Sequence, residues 1–274
     1  MIRRPPRSTL FPYTTLFRSN PIEHSLSPKL HNHWIKKNKI DAFYDKKLLN
    51  EDGIEGIISQ VKKGEIDGIN ITVPFKKLVI PLLDELSPEA NESQSVNTIY
   101  KENDKVIGHN TDIAGFELGL RHFKYDVKDK KVFILGSGGV VSSIILALKK
   151  MGTSKIIISN RTKKKAEELK KYFSDLELID WGKIPEFHMI VNATSIGLKE
   201  GDEIKLDYAD IGSNKFFYDV IYNPKQTNFL KKAKTFGNQT ENGKMMFIYQ
   251  AHQAFTIWHK IMPEIDDETI KLLD

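Results

Sequence analysis

The stretch Lys131-Val-Phe-Ile-Leu-Gly-Ser-Gly-Gly139 decides the fold of this chain. Its apolar first half is typical of a buried strand, and its glycines predict a tight turn. One helix-length segment, residues 140–151, follows and is closed by Gly152. A second apolar run then ends at Asn160-Arg161-Thr162. The order strand, glycine turn, helix and strand predicts a βαβ unit in a parallel sheet flanked by helices.

The glycine turn has the residues that a dinucleotide pyrophosphate requires. Gly136 permits a tight turn, and Gly138 lets a phosphate approach the backbone, while N–H groups at the start of the next helix point at the phosphates. Val141 stands at the third glycine position of the G-x-G-x-x-G pattern. The glycines alone therefore fit an ordinary turn of a doubly wound sheet about as well as a nucleotide site.

The end of the second strand favours the nucleotide site and indicates which nucleotide it binds. An NAD site usually has Asp or Glu there to bind the ribose hydroxyls. This chain has Arg161, followed by three lysines at 163–165. A cationic cluster at that place would bind a 2′-phosphate. The sequence therefore predicts NADP as the cofactor and a reductase as the class of enzyme.

Length and composition set the limits within which these motifs act. The chain has 274 residues, of which 40% are hydrophobic and 28% charged, as expected for one large or two modest globular domains. It has no cysteine, which excludes disulfides, thiolate metal sites and cysteine nucleophiles and fits a reducing cytoplasm. No apolar run approaches the length of a membrane span, and no metal site is predicted.

The net charge of +5 gives no support for a nucleic-acid partner, because it is concentrated in one short segment. Residues 1–19 contain four of the six arginines and no acid, and so contribute +4 of the +5. The remaining 255 residues are nearly neutral. Two interpretations of residues 1–19 are an organellar transit peptide and a non-native segment, since it resembles a translated sequencing adapter.

After residue 20, predicted helices and strands alternate, and this alternation predicts an α/β fold throughout. The helices are predicted at 28–38, with Ser27 as N-cap, and at 51–63, within 76–83, at 112–123, 226–236 and 244–262. The strands are predicted at 42–44, 67–73, 96–100, 105–109, 132–135, 155–159, 176–179, 189–193 and 216–221.

Four short runs in the first half, at 24–28, 70–76, 96–98 and 110–112, are rich in small polar groups, and we place each where a strand ends. Ligands of open α/β sheets bind outside the carboxyl ends of the strands. Hydroxyls and amides suit a polyhydroxylated ligand, because each can donate and accept hydrogen bonds.

The ionisable pair in these runs is Lys76 and Asp112, which in a closed cleft could exchange a proton with a substrate oxygen during hydride transfer. Each residue taken alone has a simpler explanation. Asp112, like Ser27, could cap a helix, Asn97 could be a turn residue, and Lys76 could be one of many solvated lysines.

These runs, in this order, resemble those of the shikimate dehydrogenase family from Asn20 to about Trp258. The first half matches in Asn20-Pro-Ile-x-His-Ser-x-Ser-Pro28, His31-Asn32, Gly68-x-Asn70-x-Thr72-x-Pro74-x-Lys76, Val96-Asn97-Thr98, Gly108-x-Asn110-Thr111-Asp112 and Gly115. The second half matches in Gly136-x-Gly138-Gly139, Asn160-Arg161-Thr162, Asn192-Ala193-Thr194-Ser195-x-Gly197, Asp219-x-x-Tyr222-x-Pro224, Asn242-Gly243 and Gln250-Ala251.

The resemblance implies a role for individual residues. Lys76 and Asp112 would be the catalytic pair. The substrate carboxylate and hydroxyls would be bound by Ser25, Ser27, Asn70, Thr72, Asn97, Tyr222 and Gln250. NADP would be held by Gly136, Ser137, Gly138, Gly139, Asn160, Arg161, Thr162, Lys165 and Gly243.

The resemblance also implies an architecture and a reaction. An α/β substrate-binding domain, 20–111, would be joined by the returning C-terminal helices, 244–274, and residues 112–243 would form a Rossmann-like NADP-binding domain. NADPH would reduce 3-dehydroshikimate to shikimate, a step toward aromatic amino acids, in a cytoplasmic monomer or homodimer with no nucleic-acid or membrane partner. The alternatives are a quinate/shikimate dehydrogenase that uses NAD, and a non-catalytic dinucleotide-binding regulator of the same fold.

The chain departs from the family pattern at three places. Val140 and Val141 replace the usual alanines, and Gln94-Ser95 replaces a common Gly-Ala pair. The family begins with an apolar strand and a glycine before the residue equivalent to Asn20, where this chain has Arg18-Ser19. We therefore favour a non-native origin for residues 1–19 and expect them to form no central part of the sheet, although 14–17 have strand-like composition.

Overall fold

The structure is a computed structural model that describes residues 13–18, 25–48 and 50–274. The chain forms two compact units. The first contains the described residues up to Thr111 together with Ala251–Asp274, and the second is Asp112–Gln250. The chain thus passes from the second unit to the first at residue 251, whereas the sequence placed the return at 244.

The first unit is built on a six-stranded mixed sheet with the strand order β2-β1-β3-β5-β6-β4. Its strands are β1 Tyr13–Arg18, β2 Phe43–Leu48, β3 Gly68–Ile71, β4 Glu85–Leu86, β5 Thr98–Glu102 and β6 Lys105–His109. Its helices are α1 Ser27–Lys37, α2 Ile54–Lys63, α3 Pro88–Ser93, the end of α9 Lys244–His259, and α10 Asp267–Lys271. Single 3-10 turns lie at Glu51–Gly53 and Ile80–Leu82.

Strand β1 corrects the expectation that residues 1–19 form no central part of the sheet. It lies between β2 and β3 and pairs in parallel with both, so that Leu16 is opposite Lys46 on one side and Asn70 on the other. The β-branched and aromatic composition of 13–17 suits a strand. Between β2 and β3, the segment 13–18 has hydrogen-bond partners along both of its edges. The prolines at 5, 6 and 12 lie outside the described residues.

Two local predictions in this unit were wrong. The N-cap of α1 is Leu26 rather than Ser27, and the Ser27 N–H donates to Ser25 Oγ at 3.4 Å. The segment 76–83 forms turns and a short 3-10 helix in place of an α-helix. Pro81 explains the second difference, because proline has no N–H and its ring clashes with the preceding turn of an α-helix.

One apolar cluster of the first unit lies between the sheet and α2, as the spacing of the apolar residues of α2 predicted. Ile54, Ile57, Ile58 and Val61 are all buried and pack in one cluster with the residues of β3, β5 and β6 that face them. The hairpin between β5 and β6 turns at Asn103 and Asp104, whose φ values of 49° and 62° match the left-handed turn that tight hairpins prefer.

The second unit is a six-stranded parallel sheet with the order β12-β11-β10-β7-β8-β9 and helices alternating with the strands. Its strands are β7 Lys131–Leu135, β8 Lys155–Ser159, β9 Glu177–Ile179, β10 Met189–Asn192, β11 Phe216–Asp219 and β12 Gln239–Asn242. Its helices are α4 Asp112–His122, α5 Val141–Lys150, α6 Lys163–Tyr172, α7 Tyr208–Ile211, α8 Asn228–Thr235 and the start of α9.

Apolar clusters on both faces bury this parallel sheet, which explains why its inner strands are almost continuously hydrophobic. Sequence analysis missed β12, because Gln239-Thr-Glu-Asn242 contains no apolar residue and lies at the edge of the sheet. Within the described ranges, no helix is both long enough and apolar enough to cross a membrane.

Candidate active site

The glycine turn between β7 and α5 has the geometry that the sequence predicted. Gly136 adopts a φ of +109°, and a Cβ atom there would lie 2.8 Å from the carbonyl oxygen of Ala193. Its N–H donates to the carbonyl of Ser159 at 2.8 Å. The turn is therefore held against the ends of β8 and β10, and only glycine fits its first position.

The residues of this turn fit a pyrophosphate. Ser137 Oγ is buried and has no hydrogen-bond partner in the described part of the chain. No side chain caps the N-terminus of α5, where Val140 occupies the N-cap position. A buried hydroxyl and uncapped N–H groups at a helix start are what phosphate oxygens bind. Val141 is fully buried in the apolar cluster below, so its methyl groups pack into the core.

The end of β8 presents positive charge to solvent. Asn160 Nδ2 donates to the carbonyl of Thr162 at 2.8 Å and so fixes the turn in which Arg161 lies. Arg161, Thr162 and Lys165 are exposed. Among the described side chains, neither Arg161 nor Lys165 forms an ion pair, whereas Lys163 lies 3.4 Å from Asp180. Arg161 and Lys165 therefore remain available to a phosphate at this strand end.

Two buried polar residues organise the loops that follow β10 and β11. Asn192 Nδ2 donates to Asp219 Oδ1 at 3.0 Å, and the Thr227 hydroxyl donates to Asp219 Oδ2 at 2.6 Å. The N–H of Ile221 also donates to Asp219 Oδ1, at 3.0 Å. Burial raises the pKa of Asp219 to about 6, although these three donors act to lower it. Asp219 lies within a quoted motif, yet nothing in the sequence gave it this organising role.

Tyr222 and Gln250, both predicted substrate ligands, are positioned by the same residue of α9. The Tyr222 ring stacks on the Phe247 ring with centroids 4.5 Å apart, and Gln250 Nε2 donates to the Phe247 carbonyl at 2.9 Å. Gly243, a predicted cofactor ligand, has a packing role here: a Cβ atom would lie 2.1 Å from the Val220 carbonyl oxygen. Phe247 is the residue that sequence reasoning missed in this group.

In the first unit, the structure brings the predicted ligands Asn70 and Asn97 together. Asn70 Nδ2 donates to the backbone carbonyl of Asn97 and to the Thr98 hydroxyl, each at 3.1 Å. Asn97 Oδ1 accepts the N–H of Thr111 at 2.8 Å, and Asn97 Nδ2 donates to the Thr111 hydroxyl at 2.9 Å. All four residues are buried. Asn97 therefore fixes the backbone immediately before Asp112.

The remaining predicted residues of this unit lie at the start of α1 and after β3. The Ser25 hydroxyl lies 3.4 Å from that of Ser27. Thr72 directly follows β3 and is partly buried, and Lys76 lies in the turns beyond it. Lys76 is only 7% exposed and Asp112, the first residue of α4, only 6%. The simpler explanation of Lys76 as a solvated surface lysine was wrong. Lys76 belongs to the first unit and Asp112 to the second.

Within the described part of the chain, no group of three or more His, Asp or Glu side chains is placed to hold a metal ion. Among the predicted site residues, Lys76 in the first unit and Asp112 in the second are buried ionisable groups. The amides and hydroxyls of each unit can donate to and accept from the hydroxyls of a polyhydroxylated ligand.

Comparisons with known proteins identify the family of this chain. Residues 18–99 match the family described as shikimate dehydrogenase substrate binding domain, and residues 117–197 match shikimate / quinate 5-dehydrogenase. The chain is 64% identical to the shikimate dehydrogenase (NADP(+)) of Pelagibacter ubique strain HTCC1062, over 95% of this chain and 98% of that protein. The chain belongs to the shikimate dehydrogenase family.

Two solved structures share this fold but carry the names of different activities. The crystal structure of shikimate dehydrogenase from Aquifex aeolicus has a TM-score of 0.87 and 35% identity, covering 97% of this chain and 98% of that chain. The ligand-free 5-ketofructose reductase of Gluconobacter sp. strain CHM43 has the same TM-score of 0.87 at 28% identity, with coverages of 97% and 99%. The shared fold therefore does not by itself select the substrate.

Proposed function

We propose that this protein is an NADP-dependent shikimate dehydrogenase that reduces 3-dehydroshikimate to shikimate by reversible hydride transfer, a step of aromatic amino acid biosynthesis. The observation that carries the proposal is that Lys76 and Asp112 are both buried in a chain with 64% identity to an NADP(+)-dependent shikimate dehydrogenase. A buried ammonium and a buried carboxylate are costly to desolvate, and such groups are typically kept for function.

In this proposal, Lys76 and Asp112 exchange the proton that accompanies hydride transfer to the substrate carbonyl. Ser25, Ser27, Asn70, Thr72, Asn97, Tyr222 and Gln250 bind the substrate carboxylate and hydroxyls. The support is chemical: the described side chains are amides and hydroxyls, several of them already held by hydrogen bonds to one another. A site fixed in this way loses little further side-chain freedom when the substrate binds.

The cofactor is NADP, which supplies the hydride when it is bound. The turn of Gly136, Ser137, Gly138 and Gly139 would take the pyrophosphate, as the unpartnered Ser137 hydroxyl indicates. The strand end of Asn160, Arg161, Thr162 and Lys165 would take the 2′-phosphate, for which a guanidinium can supply two parallel donors. Gly243 would act indirectly, since its packing against Val220 sets the entry into α9.

Two alternative functions are less well supported than this one. A quinate/shikimate dehydrogenase that uses NAD would need an acidic residue at the end of β8, where this chain has Arg161. A non-catalytic dinucleotide-binding regulator would have no need of a buried Lys76 and Asp112. We further propose a cytoplasmic monomer or homodimer whose partners are its small-molecule ligands.

The deciding experiment is a matched substrate assay on the full chain. The oxidation of NADPH and of NADH is followed with 3-dehydroshikimate, with 3-dehydroquinate and with 5-ketofructose. We expect turnover with 3-dehydroshikimate and NADPH to exceed every other combination by at least tenfold. Turnover that is greater with NADH, or with either of the other two substrates, would contradict the proposal.

A further inference from the structure

The motif His31-Asn32 on α1 is part of the family resemblance, yet it received no role at the site. We propose that these two residues hold Tyr44 as a positioning residue, and that Tyr44 fixes the carboxamide of Asn70 so that it meets the substrate only as a hydrogen-bond acceptor. The inference rests on the proposed function, because it takes Asn70 as a substrate ligand.

Asn32 binds the backbone of Tyr44, and His31 packs against its ring. Asn32 Nδ2 donates to the Tyr44 carbonyl at 2.7 Å, and Asn32 Oδ1 accepts the Tyr44 N–H at 2.9 Å. The His31 ring stacks on the Tyr44 ring with centroids 4.1 Å apart and an angle of 4° between the planes. The amide of Asn32 thus clamps the backbone of Tyr44, and the imidazole of His31 sets the plane of its ring.

His31 acts here as a flat, uncharged surface. Its side chain is buried, and neither ring nitrogen has a hydrogen-bond partner among the described residues. Burial and the nearby His259 lower its pKa to about 3, so the ring is neutral at physiological pH. Since His31 makes no hydrogen bond within the described part of the chain, we take its contribution to come from shape and stacking.

The Tyr44 hydroxyl donates to Asn70 Oδ1 at 2.8 Å in a buried environment. The other end of the amide is identified as nitrogen because it bonds the backbone carbonyl of Asn97, which can only accept. Its second hydrogen goes to the Thr98 hydroxyl. Both N–H hydrogens of Asn70 are therefore used within the protein, and one lone pair of Oδ1 remains for a ligand hydroxyl that donates.

The same ordering continues beyond Asn70. The Thr98 hydroxyl, which receives a hydrogen bond from Asn70, donates to Asn97 Oδ1 at 3.1 Å. Asn97 Oδ1 is fixed by the Thr111 N–H, so its nitrogen donates to the Thr111 hydroxyl. The side chains of Tyr44, Asn70, Thr98, Asn97 and Thr111 are thus linked by successive hydrogen bonds. Without the Tyr44 hydroxyl, Asn70 Oδ1 would lose a donor that holds it, and only the bonds to Asn97 and Thr98 would position the carboxamide.

The test removes one oxygen atom, by Tyr44→Phe. We expect shikimate binding, measured by calorimetry without cofactor, to weaken about threefold to tenfold, the effect of one ordinary hydrogen bond. The KM for 3-dehydroshikimate should rise by the same factor, with kcat within about twofold and the KM for NADPH unchanged. The matched control is Tyr208→Phe, which removes a buried hydroxyl that donates to the Phe229 carbonyl at 3.4 Å. It should change neither KM.

A double-mutant cycle shows whether Tyr44 acts through Asn70. In an Asn70→Ala background, Tyr44→Phe should no longer change shikimate binding, because its target is gone. The same loss in both backgrounds would overturn the inference. So would a Tyr44→Phe variant that binds shikimate as the parent does, even with a lowered melting temperature, since that would show a structural role only.

The stacking of His31 on Tyr44 allows a second, independent pair of variants. This pair tests the inference even if Tyr44→Phe does not fold. His31→Phe keeps a flat ring against Tyr44 and should bind shikimate as the parent does. His31→Ala removes the ring and should weaken binding as Tyr44→Phe does. Equal binding by these two variants would overturn the inference. A parent chain that neither binds shikimate nor reduces 3-dehydroshikimate would overturn the proposed function and this inference together, whereas an active parent isolates the failure to Tyr44.

Discussion

Lys76 and Asp112 are two charged side chains that folding removes from water. We predict that Lys76→Ala and Asp112→Ala each lower kcat for 3-dehydroshikimate by about 10²–10⁴-fold, the usual cost of losing a positioned proton-transfer group. The melting temperature should change little. Lys77→Ala, at the exposed neighbouring lysine, is the control and should retain parental turnover. Near-normal kcat in either active-site variant would remove that residue from the catalytic pair.

Arg161 is an exposed cation at the end of β8 and has no ion pair within the described chain. We predict that Arg161→Ala lowers the preference for NADPH over NADH, measured as the ratio of kcat/KM values, by about tenfold or more, since charge-assisted bonds contribute about 1.5–3 kcal/mol. Arg121→Ala is the matched control, because Arg121 pairs with Glu117 at 2.9 Å on an exposed helix face. An unchanged ratio in Arg161→Ala would place cofactor discrimination elsewhere.

Strand β1 is the element whose place the sequence predicted wrongly. It pairs with β2 and β3 on its two edges, and Thr15 is opposite a residue of each neighbour. We predict that Thr15→Pro lowers the stability of the first unit by about 1–3 kcal/mol, because proline leaves a ladder carbonyl without its donor. Thr15→Val keeps the ladder and should match or exceed the parent in chemical unfolding.

The strand also bears on the origin of residues 1–19. Replacing them with an apolar strand that ends in glycine before Asn20 supplies the same ladder with more apolar side chains. We expect this chimera to be more stable and more active than the chain as given. If the chimera shows no gain, residues 13–18 already serve as well as the usual first strand does, and the hypothesis of a non-native segment loses its functional support.

For the whole molecule, two buried groups, one in each unit, should contribute to stability with opposite dependence on pH. In the first, burial lowers the pKa of His31 from 6.5 to about 3. The unfolded chain binds this proton below pH 6.5 and the folded chain does not, so stability is present above pH 6.5 and is lost as the pH falls. In the second, the pKa of Asp219 rises from 3.8 to about 6. Its contribution is present below pH 3.8 and is lost as the pH rises through 6.

We predict that His31→Phe reduces the loss of stability that occurs as the pH falls below 6.5. Asp219→Asn should reduce the loss of stability that occurs as the pH rises from 3.8 to 6. Each titrating group changes the free energy of unfolding by up to about 1.4 kcal/mol per pH unit within its window. Asparagine keeps an acceptor for Asn192 and for the Ile221 N–H, so the loop should stay in place. Urea unfolding at several pH values between 4 and 7 gives the free energy of unfolding of the parent and of each variant. If its dependence on pH is the same in both variants as in the parent, the prediction is contradicted.

Much of this architecture could be predicted locally, because the signals act over a few neighbouring residues. The glycine turn at Gly136, the apolar face of α2 and the hairpin turn at Asn103 all depend on nearby backbone and side chains. Local signals failed where tertiary neighbours decided the outcome. Ser27 carries a capping side chain, yet the helix begins with Leu26 as its cap. Strand β12 has no apolar pattern, yet it pairs with β11 at the edge of the sheet.

The sequence alone determined the α/β class, the βαβ unit and the polar runs of the site, because each of these depends on residue types at fixed spacing. Only the tertiary structure decided that Lys76 is buried, that β1 lies between β2 and β3, and that His31, Asn32, Tyr44 and Asn70 form one contact chain. Burial and the direction of a hydrogen bond depend on groups distant in sequence, since Tyr44 and Asn70 meet only when their two strands join one sheet.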